Sequence, residues 1–331
     1  MNAVSDRLKY DLHEYKLEIQ ISEIKRLLVE GSDDKRFFSR LILELVDNTS
    51  HIGQQREELF IDTAQELEGG FEKVLGNREK IEFVCSSLDE ECWKKFVAFV
   101  DREFRGFEFE EVIKDILPYH KVDKGLVRSR GHSVENYFFD SKVLRESFKD
   151  LVPIDWFDQV IEMFDRIVES VLKLACALSL TGNELEQLKL IKRSVHWKLI
   201  EIDNLNARIS LDQWKDELIN VHRQDSMVSI SLIEKYNFWQ KRLEDVDLKT
   251  LQWLCHGHIG MTVIWAVYTQ CLCNAFPSHE TRRLETVIAK MQGIGEELRF
   301  QSFTGSLTRK AIQKECEYPR EVIELLGFSI S

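Results

Sequence analysis

Proline is scarce in this sequence. Four occur in 331 residues (Pro118, Pro153, Pro277 and Pro319), and no segment is of low complexity. A Pro-rich linker or disordered tail is therefore not expected, and no internal repeat is found. Seven cysteines lack the spacing of a disulfide framework, which points to reduced thiols and a cytoplasmic protein. A clean membrane-length apolar run is also missing. The most apolar segment, residues 259–276, is interrupted by Thr262, Thr269, Gln270 and Asn274 and reads as a buried helix. Met1 to Glu14 is polar and charged, so it does not read as a signal peptide. Positive charge is in deficit, at a net −12, which argues against broad electrostatic capture of nucleic acid. A polyanionic substrate would need a local basic lining or a bound metal. No Gly-rich phosphate loop, dinucleotide fingerprint or Gly-x-Ser-x-Gly nucleophile motif occurs.

What is present is a pair of short acidic motifs, each ending an apolar run. The first is Leu27-Leu28-Val29-Glu30-Gly31-Ser32-Asp33-Asp34. The second is Phe96-Val97-Ala98-Phe99-Val100-Asp101-Arg102-Glu103. In open α/β sheets, ligands bind beyond the carboxyl ends of the strands. Two such ends side by side would bring Glu30, Asp101 and Glu103 together. Clustered carboxylates do not all stay ionised without a cation, and oxygen donors of this kind suit Mg²⁺ or Mn²⁺.

The surrounding pattern predicts a mostly parallel α/β sheet flanked by helices, followed by a mainly helical region. Lys25 to Glu30 and Lys95 to Val100 read as firm strands. Shorter strands are expected at 59–61, 81–84 and 116–120. A helix capped by Ser32 or Asp33 buries Phe37, Phe38, Leu41, Ile42, Leu45 and Val46. Glu66 to Leu75 reads as a helix broken at Gly69-Gly70, and Glu90 to Trp93 as a helical turn. From Phe157 to Leu178 apolar residues recur by fours and threes, and Thr181-Gly182-Asn183 ends that helix. Ser210-Leu211-Asp212-Gln213 reads as a capping box with Trp214 and Leu218 on the buried face. Residues 248–275 and 280–291 continue the helical pattern, with one extra strand within 195–202. The domains are placed at 1–150 and 151–331, with the boundary near Pro153.

A hydrolytic metal site needs carboxylates for the cation, a group that manages the proton of the attacking water, and positive charge for the phosphate. Asp101 and Glu103 can reach a common ion. Glu30 is either a ligand or the general acid/base. A third segment, Ser133-Val134-Glu135-Asn136-Tyr137-Phe138, follows a run of cations and His132. Lys121, Lys124, Arg128 and Arg130 form the candidate substrate strip. Plainer readings exist for each residue. Glu30-Gly31 is also a strand end and turn, Asp101 a turn cap, Glu103 a solvated acid, and Glu135 a partner for Arg130.

At these residues the sequence resembles the Toprim domain of topoisomerases, primases and OLD-type nucleases. Its signature is a Glu ending the first strand, followed by Gly, and an Asp-x-Asp after a later strand. Here Glu103 replaces the second Asp. Residues 24–140 carry the resemblance. The Ser133 to Phe138 segment and Gly257-His258 are similar to the AriB branch of OLD-like Toprim proteins, the effectors of PARIS phage-defence systems. The resemblance implies that Glu30 is the catalytic Glu, that Asp101 and Glu103 hold Mg²⁺, and that Glu135 is an accessory acid. Asp34 and His258 are further accessory candidates. It also implies a toxic endonuclease directed at host tRNA, an ABC-type ATPase partner that holds it inactive, and a homodimer once released. The rivals are an OLD-type DNA endonuclease and a non-catalytic Toprim interaction subunit.

Cys255-His256-Gly257-His258 and Cys271-Leu272-Cys273 have ligand types that suit zinc. Cys271 and Cys273, two apart on one helix, point about 200° apart, so buried thiols are the expectation. Most of the seven tryptophans recur at helical apolar spacing and are expected in the core rather than as a base-stacking platform.

Overall fold

The structure is a computed structural model and describes residues 11–49, 59–68, 75–152, 154–203, 205–276 and 281–328. In chain order these form α1 (Leu12–Ile21), β1 (Lys25–Val29), α2 (Ser32–Thr49), β2 (Leu59–Thr63), α3 (Asn77–Cys85), α4 (Glu90–Trp93), β3 (Phe96–Val100), β4 (Phe107–Phe109), β5 (Ile113–Asp115), β6 (Lys121–Asp123) and β7 (Leu126–Arg128). There follow α5 (Ser141–Leu151), α6 (Phe157–Glu184), α7 (Leu188–Ser194), β8 (Ile200–Asp203), β9 (Asn206–Ile209), α8 (Leu211–Asp216), α9 (Ser226–Arg242), α10 (Leu248–Leu254), α11 (Gly257–Ala275), α12 (Thr281–Gln292), α13 (Glu296–Ile312) and α14 (Arg320–Leu325). The chain groups into two compact units. One comprises Met1–Arg102, Tyr119–Arg130 and Ala311–Ser331; the other comprises Glu103–Pro118 and Gly131–Lys310. Residues 103–118 and 131–150, expected with the α/β half, thus group with the helical remainder, and 311–331 group with the sheet.

The first unit is built on a five-stranded sheet of order β2-β1-β3-β7-β6. The pairs β1/β2, β1/β3 and β3/β7 are parallel, and β6 closes the edge antiparallel to β7. Strands buried on both faces read as unbroken apolar runs, and every residue of Phe96–Val100 is buried. Leu27, Leu28 and Val29 are likewise buried in β1. β6 is exposed throughout and carries Lys121 and Asp123, a charged edge that discourages pairing with another chain. On α2, Phe37, Phe38, Leu41, Ile42 and Leu45 are buried, and the Phe38 ring meets Phe99 edge-on at 4.9 Å. The side chain of Val46, expected on the same face, lies outside the described residues.

Arg26, buried within β1, is not marked by any sequence pattern. Its Nη1 donates to Asp62 Oδ2 at 3.0 Å, its Nη2 pairs with Glu18, and the Tyr15 hydroxyl donates to Asp62 Oδ2 at 2.9 Å. A buried cation needs such partners. Burial, reinforced by Asp62, pushes the Tyr15 phenol well above its ordinary range.

Several local expectations are corrected. Residues 81–84 belong to α3, not a strand. Ile81 and Val84 are buried three apart, the Gly76 N–H donates to Glu79 Oε2 at 2.9 Å, and Arg78 pairs with Glu82 four residues on. A short apolar run fits either period, and here the cap and the ion pair select the helix. Residues 116–120 form no strand, because pairing stops at Asp115 and resumes at Lys121. The 195–202 strand is confined to β8, which turns into an unforeseen partner, β9. The expected helix over 66–75 falls largely outside the described residues; a single 3₁₀ turn spans Ala64–Glu66.

In the second unit, α6 packs against α11, and Leu174 to Gly182 of α6 are all buried. The helix runs through Thr181-Gly182-Asn183 to Glu184 instead of ending there. Phe148 stacks on Tyr268 at 3.8 Å with Phe164 and Phe303 around it. Trp214 and Trp253 are core residues, as their spacing predicts. Ser210 stands at the N-cap of α8 but makes no side-chain cap bond, so the capping box does not form. The helical pattern over 248–275 is two helices broken at Cys255-His256.

Gly125 tests the sheet packing. A Cβ there would lie 2.3 Å from Trp93 Cε3 and 2.7 Å from the Phe96 carbonyl oxygen. Gly125→Ala is expected to destabilise the fold by about 1–3 kcal/mol, read by urea denaturation. An unchanged midpoint would contradict that packing.

Candidate functional site

The parallel register pairs Leu28 with Ala98. Glu30 and Asp101 therefore leave the sheet at the carboxyl ends of adjacent strands, where ligand sites form in such folds. The Asp101 N–H donates to Glu30 Oε1 at 2.9 Å. A charge-assisted bond of this type fixes the Glu30 carboxylate next to Asp101. Both residues are half-buried.

Arg78, which no sequence pattern marks, completes this end of the sheet. Its Nη1 donates to the Asp101 carbonyl at 2.7 Å while its Nε holds Glu82 at 3.0 Å. The cation reaches the strand end because α3 is a helix; read as a strand, the segment gives no reason to place it there. Beside it, the Ser129 Oγ accepts the Arg102 N–H at 2.8 Å, and Arg102 Nη1 donates to the Arg130 carbonyl at 2.9 Å.

The other expected residues of this unit take varied positions. Asp34 is buried, and its Oδ2 accepts the Gly31 N–H at 2.9 Å, which fastens the turn after β1 to the first turn of α2. Lys121 and Lys124 are exposed on the β6–β7 hairpin, with Lys124 at φ +56° in its turn. Arg128 is half-buried beside them, paired in register with Lys121. Arg130 is only 3% exposed, so the open part of the cationic strip is Lys121, Lys124 and the edge of Arg128.

Glu103 and Glu135 belong to the second unit. Glu103 is exposed at φ +56°, its N–H donates to the His132 carbonyl, and its carboxylate pairs with Arg105 at 2.9 Å. Glu135 is buried in the 3₁₀ turn Val134–Phe139. Its Oε2 accepts from Ser133 Oγ at 2.6 Å, and its Oε1 faces His258 Nδ1 at 3.2 Å. The turn is locked by Asn136, whose Oδ1 accepts the Ser133 N–H while Nδ2 donates to the Gln252 and Cys255 carbonyls at 2.6 and 2.8 Å. The carboxylate sits against the first turn of α11, whose amino-terminal partial charge favours an anion. Gly257 permits this approach. A Cβ on it would lie 2.2 Å from Ser133 Oγ and 2.5 Å from Glu135 Oε2.

His132 and His256 lie behind, with ring centroids 4.6 Å apart. Burial holds His132 well below the ordinary histidine value, and the neighbouring His256 and His258 add to this. Burial also brings His256 down to about 4, partly opposed by Glu135. Burial pushes the Cys271 and Cys273 thiols up to about 12 and 11, which keeps them protonated.

Among the described residues, no three or more His, Cys, Asp or Glu side chains gather as a metal-holding group. The three-carboxylate set expected from Glu30, Asp101 and Glu103 is therefore not found. Glu30 and Asp101 alone still match a hard cation such as Mg²⁺, which keeps several waters and takes one or two carboxylates. No helix among the described residues is long and apolar enough to cross a membrane. No protein-family model matches the chain, and no curated protein matches it.

Both lowered histidines bind protons more weakly folded than unfolded. Stability is therefore full above the ordinary histidine value and falls as pH drops below it. The His256 share is lost between about pH 6.5 and its folded value of about 4. Denaturation curves should show His256 contributing a loss of up to about 1.4 kcal/mol per pH unit over that span. His256→Gln should reduce the slope; an identical slope in the variant would refute the assignment.

Proposed function

We propose that this chain is a Mg²⁺-dependent endonuclease of the Toprim type. The observation that supports this reading most is the bond from the Asp101 N–H to Glu30 Oε1 at the ends of two adjacent parallel strands. The motif resemblance places its catalytic Glu and one of its metal-holding acids at these same two positions. When bound, the cation would offset phosphate charge and ease deprotonation of the attacking water. Asp101, with Glu30 beside it, would hold that cation. Glu30 would take the proton of the attacking water. Arg78, bonded to the Asp101 carbonyl, holds the strand end in place and keeps positive charge beside it. The finer reading rests on the resemblance: a toxic effector of phage defence that cleaves host tRNA, is restrained by an ABC-type ATPase and acts as a dimer.

One observation favours a second reading, a catalytically idle interaction subunit: the lack of a three-donor metal group among the described residues. Calorimetric titration with Mg²⁺ or Mn²⁺ separates the two. Binding that is lost in Asp101→Asn supports the nuclease, and no binding to the wild-type protein supports the idle subunit.

Glu30→Ala is expected to abolish cleavage and toxicity while the protein still folds, scored by sequencing cellular RNA and DNA after induction. Broken tRNA with an intact genome fits the RNA reading, and the reverse fits an OLD-type DNA endonuclease. A fully toxic Glu30→Ala protein would end the assignment.

The exposed hairpin cations give a separate expectation. Replacing Lys121 and Lys124 by Gln should lower the salt slope of RNA binding by roughly 0.7 for each phosphate left without its cation. An unchanged slope would remove the hairpin from the binding surface.

A further inference from the structure

We propose that the second unit binds a small polyamine in a cavity between the β8–β9 hairpin, α6 and α9. This binding is independent of the nuclease assignment. The cavity has a volume of about 680 Å³, within the range of small-molecule sites. Its walls are tied together. Ser170 Oγ on α6 accepts the Ala207 N–H of β9 at 2.5 Å, and Lys173 Nζ donates to the Glu244 carbonyl just beyond α9 at 2.6 Å. Ala207 and Ile209 are buried, which seats the hairpin against α6.

Two side chains of α9 point to a ligand. Tyr236 is only 4% exposed and lines the cavity, and its hydroxyl has no hydrogen-bond partner among the described residues. Its ring meets Trp214 edge-on at 5.9 Å, which helps fix the phenol. Burial pushes that phenol above its ordinary range, so it stays a neutral hydroxyl. Gln240, one turn further along α9, lines the same cavity, and its Oε1 is buried without a hydrogen-bond partner. Unmatched polar atoms of this kind are costly, and native proteins keep few of them. A ligand rich in N–H donors would meet both oxygens.

Charge selects the class of ligand. Both cations of the lining are already matched: Lys173 pairs with Glu169 at 2.8 Å and Arg208 with Glu201 at 2.9 Å. Asp203 is engaged in its own turn, where its Oδ1 accepts the Asn206 N–H at 3.1 Å. Asp212 and Glu244 line the same cavity, are exposed, and have no ion pair among the described residues. The surplus is negative, which disfavours phosphates and carboxylates. Two carboxylates and two neutral oxygens around one cavity match several N–H groups on one molecule. A polyamine carries them as ammonium groups joined by apolar carbons, and hydrogen bonds from charged donors are the stronger kind.

The test is calorimetric titration of the full chain with spermidine, which should bind at a single site. Tyr236→Phe removes a hydroxyl that holds nothing in the protein. Its thermal melt should therefore match wild type while its affinity for spermidine falls about tenfold. Asp212→Asn combined with Glu244→Gln should lower affinity by about tenfold or more and weaken its salt dependence. An acidic protein also attracts polyamines loosely as counterions. Glu90→Gln combined with Glu91→Gln removes the same charge from α4 and should leave binding unchanged. Neither myo-inositol nor inorganic phosphate should displace spermidine. Four outcomes would each overturn the site: no spermidine binding, full affinity in Tyr236→Phe or in the Asp212 and Glu244 variant, an equal loss in the α4 variant, or displacement by inositol or phosphate.

Discussion

The parallel pairing of β1 with β3 is the constraint from which the candidate site follows. It aligns Leu28 with Ala98, so the two strands end within one residue of each other and Glu30 reaches the Asp101 backbone. A register slip of one residue would turn every side chain of β1 to the opposite face. The slip is prevented because β1 and β3 are buried on both sides. Large residues such as Phe96 and Phe99 fill the layers above and below. The apolar runs therefore do more than form the core: they fix where two carboxylates stand.

A comparable economy governs Glu135. Burying a carboxylate is costly unless several groups meet it. Here a hydroxyl, a helix start and a histidine do so, and the absence of a side chain at Gly257 is what lets them all fit. Asn136 holds both ends of this arrangement, because its amide spans from its own turn to the break between α10 and α11. Cys255-His256 interrupts the helix at that break, and the interruption creates the amino terminus that Glu135 uses.

Net charge is a poor guide to local electrostatics in this chain. Of its cations, Arg26, Arg102 and Arg130 are buried; Arg26 holds Asp62 and Glu18, and Arg102 holds the Arg130 carbonyl. Those buried guanidinium groups belong to the scaffold. The open cations Lys121 and Lys124 stand on a short edge hairpin. A strongly acidic protein can therefore still present a small basic surface, while Arg26 and Arg102 act as internal ties.

The sequence alone settled the elements whose pattern has one reading. The runs at β1 and β3, the amphipathic face of α2 and the long apolar rhythm of α6 are of this kind, because a buried strand or a helical stripe leaves a period that few alternatives share. It also marked Glu30 and Asp101, since a carboxylate closing an apolar run has no place in the core pattern. Tertiary structure decided the rest. It made residues 77–85 a helix and so delivered Arg78, it buried Arg130, and it set Glu103 beside Arg105 away from any three-acid cluster. It also placed Glu135 against His258, more than a hundred residues on. Such outcomes depend on which distant segments meet, and charge, unlike hydrophobicity, carries no period from which that meeting can be read.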